Sequence, residues 1–295
     1  MCISILPVGA HTFDTAKYMA RTYSYGGGVG LTLSKLRPKG AKVNNAASTT
    51  TGAVSFMDLY SLVTGLIGMR GRRGALMLNL DCDHPDIEDF IDVKNDLTKV
   101  KYANISVNIT DEFMKAVVED NDYELYFKVE ATGEEIKRTI KARDLFRKLA
   151  MNNWNMAEPG MLFTNRINSW HLMSEDDAFE FAGVNPCAEE TLPAFGSCNL
   201  SSINLGEFVR NPFTKKAGFE FERFGEMVRE GVIYLNEALD ENMKLHPLAQ
   251  QREMARDLRQ IGLGIMGVAD MFIKLGIRYG SEESINLIHQ IGKVL

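Results

Sequence analysis

The sequence predicts an α/β fold in which parallel strands alternate with helices. Short apolar segments of strand length alternate with longer amphipathic segments along the 295 residues. Most of the predicted strands are uninterrupted apolar runs, such as residues 75–80, and such runs are typical of parallel strands that are buried on both faces. The chain is long enough for one large α/β domain or two small ones.

The first predicted elements surround a run of glycines. Residues 2–8 predict a buried strand, and residues 12–24 predict a helix with Thr12 as its N-cap. The glycine run at 26–30 follows this helix, and residues 31–34 return to strand character. A dinucleotide-binding fingerprint requires the order strand, glycine-rich turn, helix, so the order found here does not favour one. The glycines instead predict a helix end and a close approach of a ligand or another backbone.

The remaining elements continue the alternation of strands and helices. Residues 44–52 predict a polar loop, residues 70–74 a basic turn and residues 261–267 a glycine-rich apolar turn. The predicted strands are 75–80, 104–109, 123–130 and 161–163. The predicted helices are 55–69, one that begins at 83–87, 111–119 with Thr110 as its cap, 141–154, 221–243, 249–258, 268–275 and 282–295.

Composition and charge argue against several classes of protein. The net charge of −6 and the pI of about 5.5 do not favour a nucleic-acid surface, and the arginines of 70–73 are too few to form one. No apolar run is long enough for a membrane span, and the N-terminus lacks the pattern of a secretory signal. We therefore expect a cytoplasmic protein.

The cysteines do not form a recognisable structural pattern. Cys2, Cys82, Cys187 and Cys198 are too few and too widely spaced for a disulfide framework. No Cys-x-x-Cys pair is present, so we predict no metal site. We interpret Cys82 as a small buried hydrophobic residue, and His84 as part of a helix start rather than a metal ligand.

The most informative stretch places an amide, a thiol and a carboxylate at alternate positions, Asn185, Cys187 and Glu189. In an extended segment alternate side chains point the same way, so all three could face one bound molecule. An orienting amide, a reactive thiol and a proton-accepting carboxylate form a plausible catalytic set. A loop with a proline and a glycine leads to Cys198 and can bring it towards Cys187. A simpler thiol–disulfide protein that uses these two cysteines is the alternative.

This stretch, with its continuation Ser-Cys-Asn-Leu-x-Ser-Ile-Asn-Leu, resembles the finger loop of the ribonucleotide reductase large (catalytic) subunit. The resemblance spans essentially the whole chain, and it implies the first half of a ten-stranded α/β barrel in residues 1–184, the finger loop in 185–205 and the helical start of the second half in 206–295. Further segments match in the family's order: Cys2 at the start of a strand, the glycines of 26–30, and residues 36–40, 72–75, 84–87, 104–107 and 261–264.

The resemblance also implies a mechanism for reducing ribonucleotides to deoxyribonucleotides. Cys187 would become a thiyl radical and remove the ribose 3′ hydrogen, while Glu189 would take the 3′-hydroxyl proton. Asn185 would hydrogen-bond the substrate hydroxyls. Cys2 and Cys198 would supply two electrons as the 2′-hydroxyl leaves as water, and a thioredoxin-like dithiol would reset their disulfide.

Binding partners follow from the same resemblance. Gly28 would let the backbone approach the substrate, and Arg37, Arg70 and Arg73 would bind a deoxynucleoside triphosphate effector. The sequence Pro-Cys-Ala-Glu-Glu that begins at Pro186 is most similar to the adenosylcobalamin-dependent class II branch; otherwise the radical would come from a separate metal-containing subunit. The complete protein would be a homodimer.

The sequence begins without residues that lead into its first predicted strand, and it ends without a capping signal for its last predicted helix. The chain starts directly on a predicted strand and ends inside a predicted helix, and no segment matches the family's second-half phosphate loop. We therefore expect a truncated or split piece that needs the second half of the barrel as its partner. The alternative is an inactive half-barrel fragment or an interaction subunit without catalysis of its own.

Overall fold

The computed structural model describes residues 3–7, 12–43, 46–69, 72–171, 173–176 and 180–295. The chain divides into two compact units, one of residues 2–197 with 247–251 and the other of residues 198–246 with 252–295. Within the described residues, no helix combines the length and the apolarity that are needed to cross a bilayer.

A parallel sheet organises the first unit, with helices between its strands. In chain order its elements are β1 (Ile3–Pro7), α1 (Thr12–Ser24), β2 (Gly28–Thr32), α2 (Ala53–Leu66), β3 (Gly68–Met69), β4 (Arg72–Arg73), β5 (Leu76–Asp81), α3 (Ile87–Asp92), β6 (Asn104–Ile109), α4 (Asp111–Glu119), β7 (Asp122–Val129), β8 (Glu134–Lys141), α5 (Ala142–Met156), β9 (Gly160–Phe163), α6 (Thr164–Trp170), β10 (Phe181–Val184) and β11 (Thr191–Pro193).

The strand order of this sheet is β1-β2-β5-β6-β9, and every neighbouring pair is parallel. Each parallel connection requires a crossover, and the chain supplies helices for these crossovers. The predicted α/β class with parallel strands is therefore confirmed.

Helices cover one face of the sheet, which we call the helix face. Alternate residues of a strand point to opposite faces, and one alternate set in each central strand is apolar and buried. These residues share one hydrophobic cluster with side chains of α1 to α5 (Leu31, Leu76, Leu78, Leu80, Ile105, Val107, Ile109, Met19, Met57, Phe90, Phe113 and Leu149).

The opposite face, which we call the hairpin face, is more polar and has smaller residues. Met77 packs there with Leu162 of β9 and Val184 of the β10–β11 hairpin. The other alternate residues include glycines, amides and hydroxyls, many of them buried (Gly28, Gly30, Thr32, Asn79, Asn104, Ser106 and Asn108). Asn79 has no exposed surface, yet neither atom of its amide group has a partner in the described structure.

The second unit contains a second parallel pair. Its strands β12 and β15 pair in parallel, with α7 between them in sequence, and an apolar cluster around Phe208, Phe224 and Met271 forms its core. The remaining elements in chain order are β12 (Asn199–Asn204), β13 (Val209–Arg210), β14 (Gly218–Phe219), α7 (Phe221–Leu245), α8 (Ala249–Leu258), β15 (Ile261–Met266), α9 (Val268–Leu275) and α10 (Glu282–Val294).

Two predictions at glycine-rich segments are wrong. The second strand covers residues 28–32 rather than 31–34, so two glycines of the run lie inside it. The predicted turn at 261–267 is the strand β15, which pairs along its whole length with β12. Glycine lowers strand propensity, but pairing with neighbouring strands outweighs this local preference at both places.

Candidate active site

The candidate site lies at the tip of the β10–β11 hairpin. The two strands are antiparallel, with Val184 opposite Thr191. Residues 185–190, which we call the thiol turn, connect them. Asn185 closes this turn twice: its backbone N–H donates to the Glu190 carbonyl at 3.2 Å, and its side-chain Oδ1 accepts from the Glu190 N–H at 3.1 Å.

The thiol turn is a tight turn and not an extended segment. The Ala188 N–H donates to the Asn185 carbonyl at 2.9 Å, and Ala188 has a positive φ of 66°. Asn185 and Pro186 occupy the first two positions of this turn, where asparagine and proline are preferred. The predicted extended conformation is therefore wrong, and the Asn-Pro pair is the sequence signal that could have indicated the turn.

The three residues of the predicted catalytic set differ in their exposure. The Cys187 thiol and the Glu189 carboxylate are both exposed, so a bound molecule can reach them. Asn185 is fully buried, and its Nδ2 has no hydrogen-bond partner within the described residues. A buried N–H without a partner is costly, and a ligand can reach this amide only if the residues that cover it move.

Three contacts dock the hairpin on the sheet. The Pro186 ring lies against Gly28, where an added methyl group would be 3.0 Å from Cγ of the proline. The Asn104 Nδ2 donates to the Pro186 carbonyl at 2.9 Å, and the Thr32 hydroxyl donates to the Ala182 carbonyl at 2.5 Å. Gly28 and Asn104 are the first residues of their strands, so the thiol turn lies at the amino edge of the sheet.

Comparison with known proteins identifies the family. Residues 10–295 match a sequence model described as "Ribonucleotide reductase, barrel domain". The chain belongs to the ribonucleotide reductase barrel-domain family.

Several similar proteins carry names that specify a cofactor. A "Vitamin B12-dependent ribonucleoside-diphosphate reductase" of Thermoplasma acidophilum is 37% identical over 96% of this chain. A protein of the same name from Mycobacterium tuberculosis is 35% identical over 93%, and a "Vitamin B12-dependent ribonucleotide reductase" of Streptomyces avermitilis is 34% identical over 91%. The chain spans only 36%, 38% and 30% of the length of these relatives, respectively.

The other predicted reductase thiols have different surroundings. Cys198 is buried and belongs to the second unit, while Cys2 lies outside the described residues. The pairing of Cys2 with Cys198 therefore remains a prediction. Cys82 is buried on the helix face, with its Sγ 3.6 Å from the Tyr123 hydroxyl, and burial raises the pKa of its thiol. Its predicted role as a buried hydrophobic residue is confirmed.

The predicted effector residues lie on two surface segments. The Arg37 guanidinium donates to the Lys42 carbonyl at 3.1 Å and so stabilises the loop that follows β2. Arg73 is exposed on β4, with its guanidinium carbon 5.4 Å from the centre of the Tyr102 ring. Arg70 lies outside the described residues.

His84 and Asp86 organise the loop that carries Arg37, and Asp86 was missed by sequence reasoning. Nδ1 of buried His84 accepts from the Asp86 N–H at 3.0 Å, so Nε2 carries the proton and donates to the Leu36 carbonyl at 2.9 Å. The Asp86 carboxylate accepts from the backbone N–H groups of Lys39 and Ala53, at 3.0 Å and 2.9 Å. Burial lowers the pKa of His84. Its predicted structural role is confirmed.

Asn104 is a second residue that sequence reasoning missed. The segment Asn-Ile-Ser-Val-Asn-Ile alternates polar and apolar residues, and this pattern indicates a strand with two different faces. Gly28, in turn, packs against the Pro186 ring in the structure. Its contact with substrate remains a prediction.

Proposed function

We propose that this chain provides the radical thiol of a ribonucleotide reductase, an oxidoreductase that acts on CH or CH2 groups with a disulfide as acceptor. The main support is one observation: in a chain of this family, an exposed thiol is held at the tip of a turn that three contacts dock to the sheet. An exposed but well-fixed thiol suits hydrogen-atom transfer, because the reacting atoms must be close and aligned.

Three residues of the thiol turn have different roles in the proposed reaction. The Cys187 thiyl radical takes the 3′ hydrogen of the ribose, which restores its S–H bond and leaves the radical on the sugar. The Glu189 carboxylate, two residues along and also exposed, accepts the 3′-hydroxyl proton. The Asn185 Nδ2, which is buried and has no partner within the described residues, donates to a substrate hydroxyl once the residues that cover it move. The roles of the thiol and the carboxylate need no rearrangement of the turn, because both groups are already exposed.

The reduction itself requires two further thiols. The 2′-hydroxyl leaves as water with one added proton, and Cys2 and Cys198 together supply two electrons and two protons as they form a disulfide. The radical sugar then recovers its 3′ hydrogen from Cys187. A thioredoxin-like dithiol reduces the disulfide by exchange, so the net reaction converts one ribonucleotide and one dithiol into one deoxyribonucleotide, water and one disulfide.

The cofactor proposed from the relatives' names is adenosylcobalamin. When bound, it would supply the radical chemistry that converts the Cys187 thiol into a thiyl radical. The exposure of Cys187 fits this requirement, since a group bound outside the chain can reach its Sγ. A radical from a separate metal-containing subunit is the alternative source.

The finer architecture is also a proposal. The five parallel strands β1, β2, β5, β6 and β9 would form half of a ten-stranded barrel with the hairpin face inward. Residues 185–205 would be the finger loop, and β12 and β15 would begin the second half. A homodimer would place a deoxynucleoside triphosphate effector near Arg37, Arg70 and Arg73, and two of these guanidinium groups lie on surface segments.

The test is deoxynucleotide formation by the full chain, combined with the rest of the barrel, adenosylcobalamin and a dithiol. We expect the Cys187→Ser variant to lose turnover by at least about a thousandfold, as for other residues that react directly with the substrate, without loss of stability because the thiol is exposed. Cys82→Ser is the matched control, since its thiol is buried away from the site. It should lose stability and keep turnover.

Two results would contradict this proposal. One is full turnover by Cys187→Ser, and the other is no turnover by a well-folded wild-type complex. Ribonucleotide binding measured by calorimetry then separates the alternatives. A folded complex that binds no nucleotide would favour an interaction subunit without catalysis of its own.

A further inference from the structure

Asn104 contacts the peptide group that joins Pro186 to the reactive cysteine. Its Nδ2 donates to the Pro186 carbonyl oxygen at 2.9 Å. The same planar peptide group contains the backbone nitrogen of Cys187, so the hydrogen bond restrains the orientation of the plane to which the Cys187 Cα is attached. A bond at this place restrains the direction in which the Cys187 side chain leaves the backbone.

Pro186 is restrained from a second side. Its ring lies against Gly28, so close that a side chain on that residue would displace the ring by a few tenths of an ångström. The proline ring also fixes its own φ. Pro186 is therefore held in two places: its ring packs against β2, and its carbonyl is hydrogen-bonded to β6. These two strands lie on either side of β5.

The backbone around Asn104 is itself fixed by a partly buried ion pair. The Lys94 ammonium donates to the Ala103 carbonyl at 2.6 Å and lies 3.2 Å from a Glu158 carboxylate oxygen. The other oxygen of that carboxylate accepts from the Ile105 N–H at 3.0 Å. The residues before and after Asn104 are thus both held by charged partners, and charge-assisted hydrogen bonds are stronger than neutral ones.

We infer that Asn104 is a positioning residue whose side-chain amide sets the orientation of the Cys187 thiol by holding the Pro186 carbonyl. The exposed amide does not need to touch the reacting atoms for this role. The consequence for catalysis rests on the function proposed above, whereas the effect on the turn does not.

The first test measures hydrogen exchange of the peptide 181–193 in the full chain. Asn104→Ala removes the donor, and we expect exchange in this peptide to accelerate about threefold to tenfold, as for the loss of one modest hydrogen bond. Asn153→Ala is the matched control, because the Asn153 Nδ2 donates to the Pro159 carbonyl at the same 2.9 Å. It should leave exchange in 181–193 unchanged. Equal acceleration by both variants, or by neither, would overturn the inference.

The second test uses Asn104→Asp, which keeps the size of the side chain. A protonated carboxyl can donate to the Pro186 carbonyl as the amide does, whereas a carboxylate repels that oxygen. The ratio of variant to wild-type exchange in 181–193 should therefore be near one below the carboxyl pKa, and should rise severalfold by pH 7. A role in space filling alone predicts a ratio that does not change with pH, and that result would overturn the inference.

Turnover kinetics provide an independent test of the positioning role of Asn104. In the assembled enzyme we expect Asn104→Ala to lower kcat severalfold with little change in KM, because the substrate site is intact and the thiol is misplaced. Asn104→Asp should recover kcat, relative to wild type, as the pH falls. A change in KM alone would overturn the positioning role. Absence of turnover in the wild type would instead contradict the proposed function, and the exchange results would stand without it.

Discussion

The helix face and the hairpin face of the central sheet are made by alternate residues of the same strands, yet their chemistry is opposite. In β5, Leu76, Leu78 and Leu80 are buried in the large apolar cluster under the helices. On the other side, Met77 belongs to a small cluster, and the Asn79 amide has no partner in the part of the chain that the structure describes. The first set stabilises the fold, and the second set leaves polar groups near the hairpin that carries the thiol.

Typical energies make this difference concrete. Burial of a large apolar side chain contributes about 1.5–3 kcal/mol, whereas a buried amide without a partner costs about 1–3 kcal/mol. Residues that face the hairpin are therefore expected to contribute less to stability than their direct neighbours in sequence. The candidate active site lies on the face that stabilises the sheet least.

The largest stability effect should come from the helix face. Leu78→Ala removes a fully buried side chain from the main cluster, so we expect a loss of about 2–5 kcal/mol in the free energy of unfolding. Met77→Ala, one residue earlier on the hairpin face, is the control and should lose clearly less. Chemical denaturation of both variants measures the difference. Equal losses would mean that the two faces do not differ in this way.

An intermediate effect is expected where the hairpin docks. Gly28→Ala places a methyl group 3.0 Å from Pro186 Cγ, and the proline ring must move to accept it. We expect a loss of about 1–3 kcal/mol in stability, as for other overpacked sites, and a fall in turnover of the assembled enzyme.

The control for this substitution is Gly292→Ala in α10, where an added methyl group has open space. It should be neutral or stabilise the protein by up to about 1 kcal/mol, because alanine has the higher helix propensity. Unchanged stability and turnover in Gly28→Ala would show that the thiol turn does not depend on close packing at this glycine.

A smaller effect, of opposite sign, is expected from Asn79→Leu. The substitution removes two buried polar atoms that have no partner and replaces them with an apolar group of similar size. We expect stability to stay the same or to rise by about 1 kcal/mol.

Asn199→Leu provides the contrast, because the buried Asn199 amide donates to the Leu235 carbonyl at 3.0 Å. It should lose about 0.5–1.5 kcal/mol, as for one net hydrogen bond, because the Leu235 carbonyl inside α7 keeps its helical donor and the Asn199 Oδ1 has no partner within the described residues. If thermal unfolding shows equal losses for the two variants, ordered water satisfies the Asn79 amide, and the polar groups of the hairpin face cost less free energy than expected.

The smallest effect concerns pH at the carboxyl edge of the sheet. Burial, together with the charge of Asp81, raises the pKa of Asp83 to about 6. A raised pKa means that the folded state binds more protons than the unfolded state, so stability should fall as the pH rises from about 4 to about 6. Partial exposure limits this fall to about 1 kcal/mol. Asp83→Asn should remove this component of the pH dependence of unfolding, and an unchanged profile would contradict the assignment.

Much of the sheet was predictable from sequence, because its strands are short apolar runs between helical segments. The predicted cap at Thr110 is confirmed, since its hydroxyl accepts from the Phe113 N–H. The predicted family is confirmed by the match over residues 10–295. These features are encoded locally, in residue order and side-chain type.

The parts that sequence missed depend on contacts between distant segments. The alternation of Asn185, Cys187 and Glu189 suggested an extended segment, although hydrogen bonds within residues 185–190 close it into a turn. The second strand begins at Gly28, because its neighbours pair with it and Pro186 fills the space beside it. No local pattern contains that information.

The docking contacts also determine when the thiol turn can be assembled as the protein folds. Asn104 and Pro186 are 82 residues apart, and Thr32 and Ala182 are 150 residues apart. Contacts of such large sequence separation are slow to form, because loop-closure entropy is lost before they contribute energy. The hairpin can close its own ladder early, but its attachment must wait for β2 and β6 to pair with β5. In a newly synthesised chain we therefore expect the scaffold to form before the cysteine reaches a defined orientation.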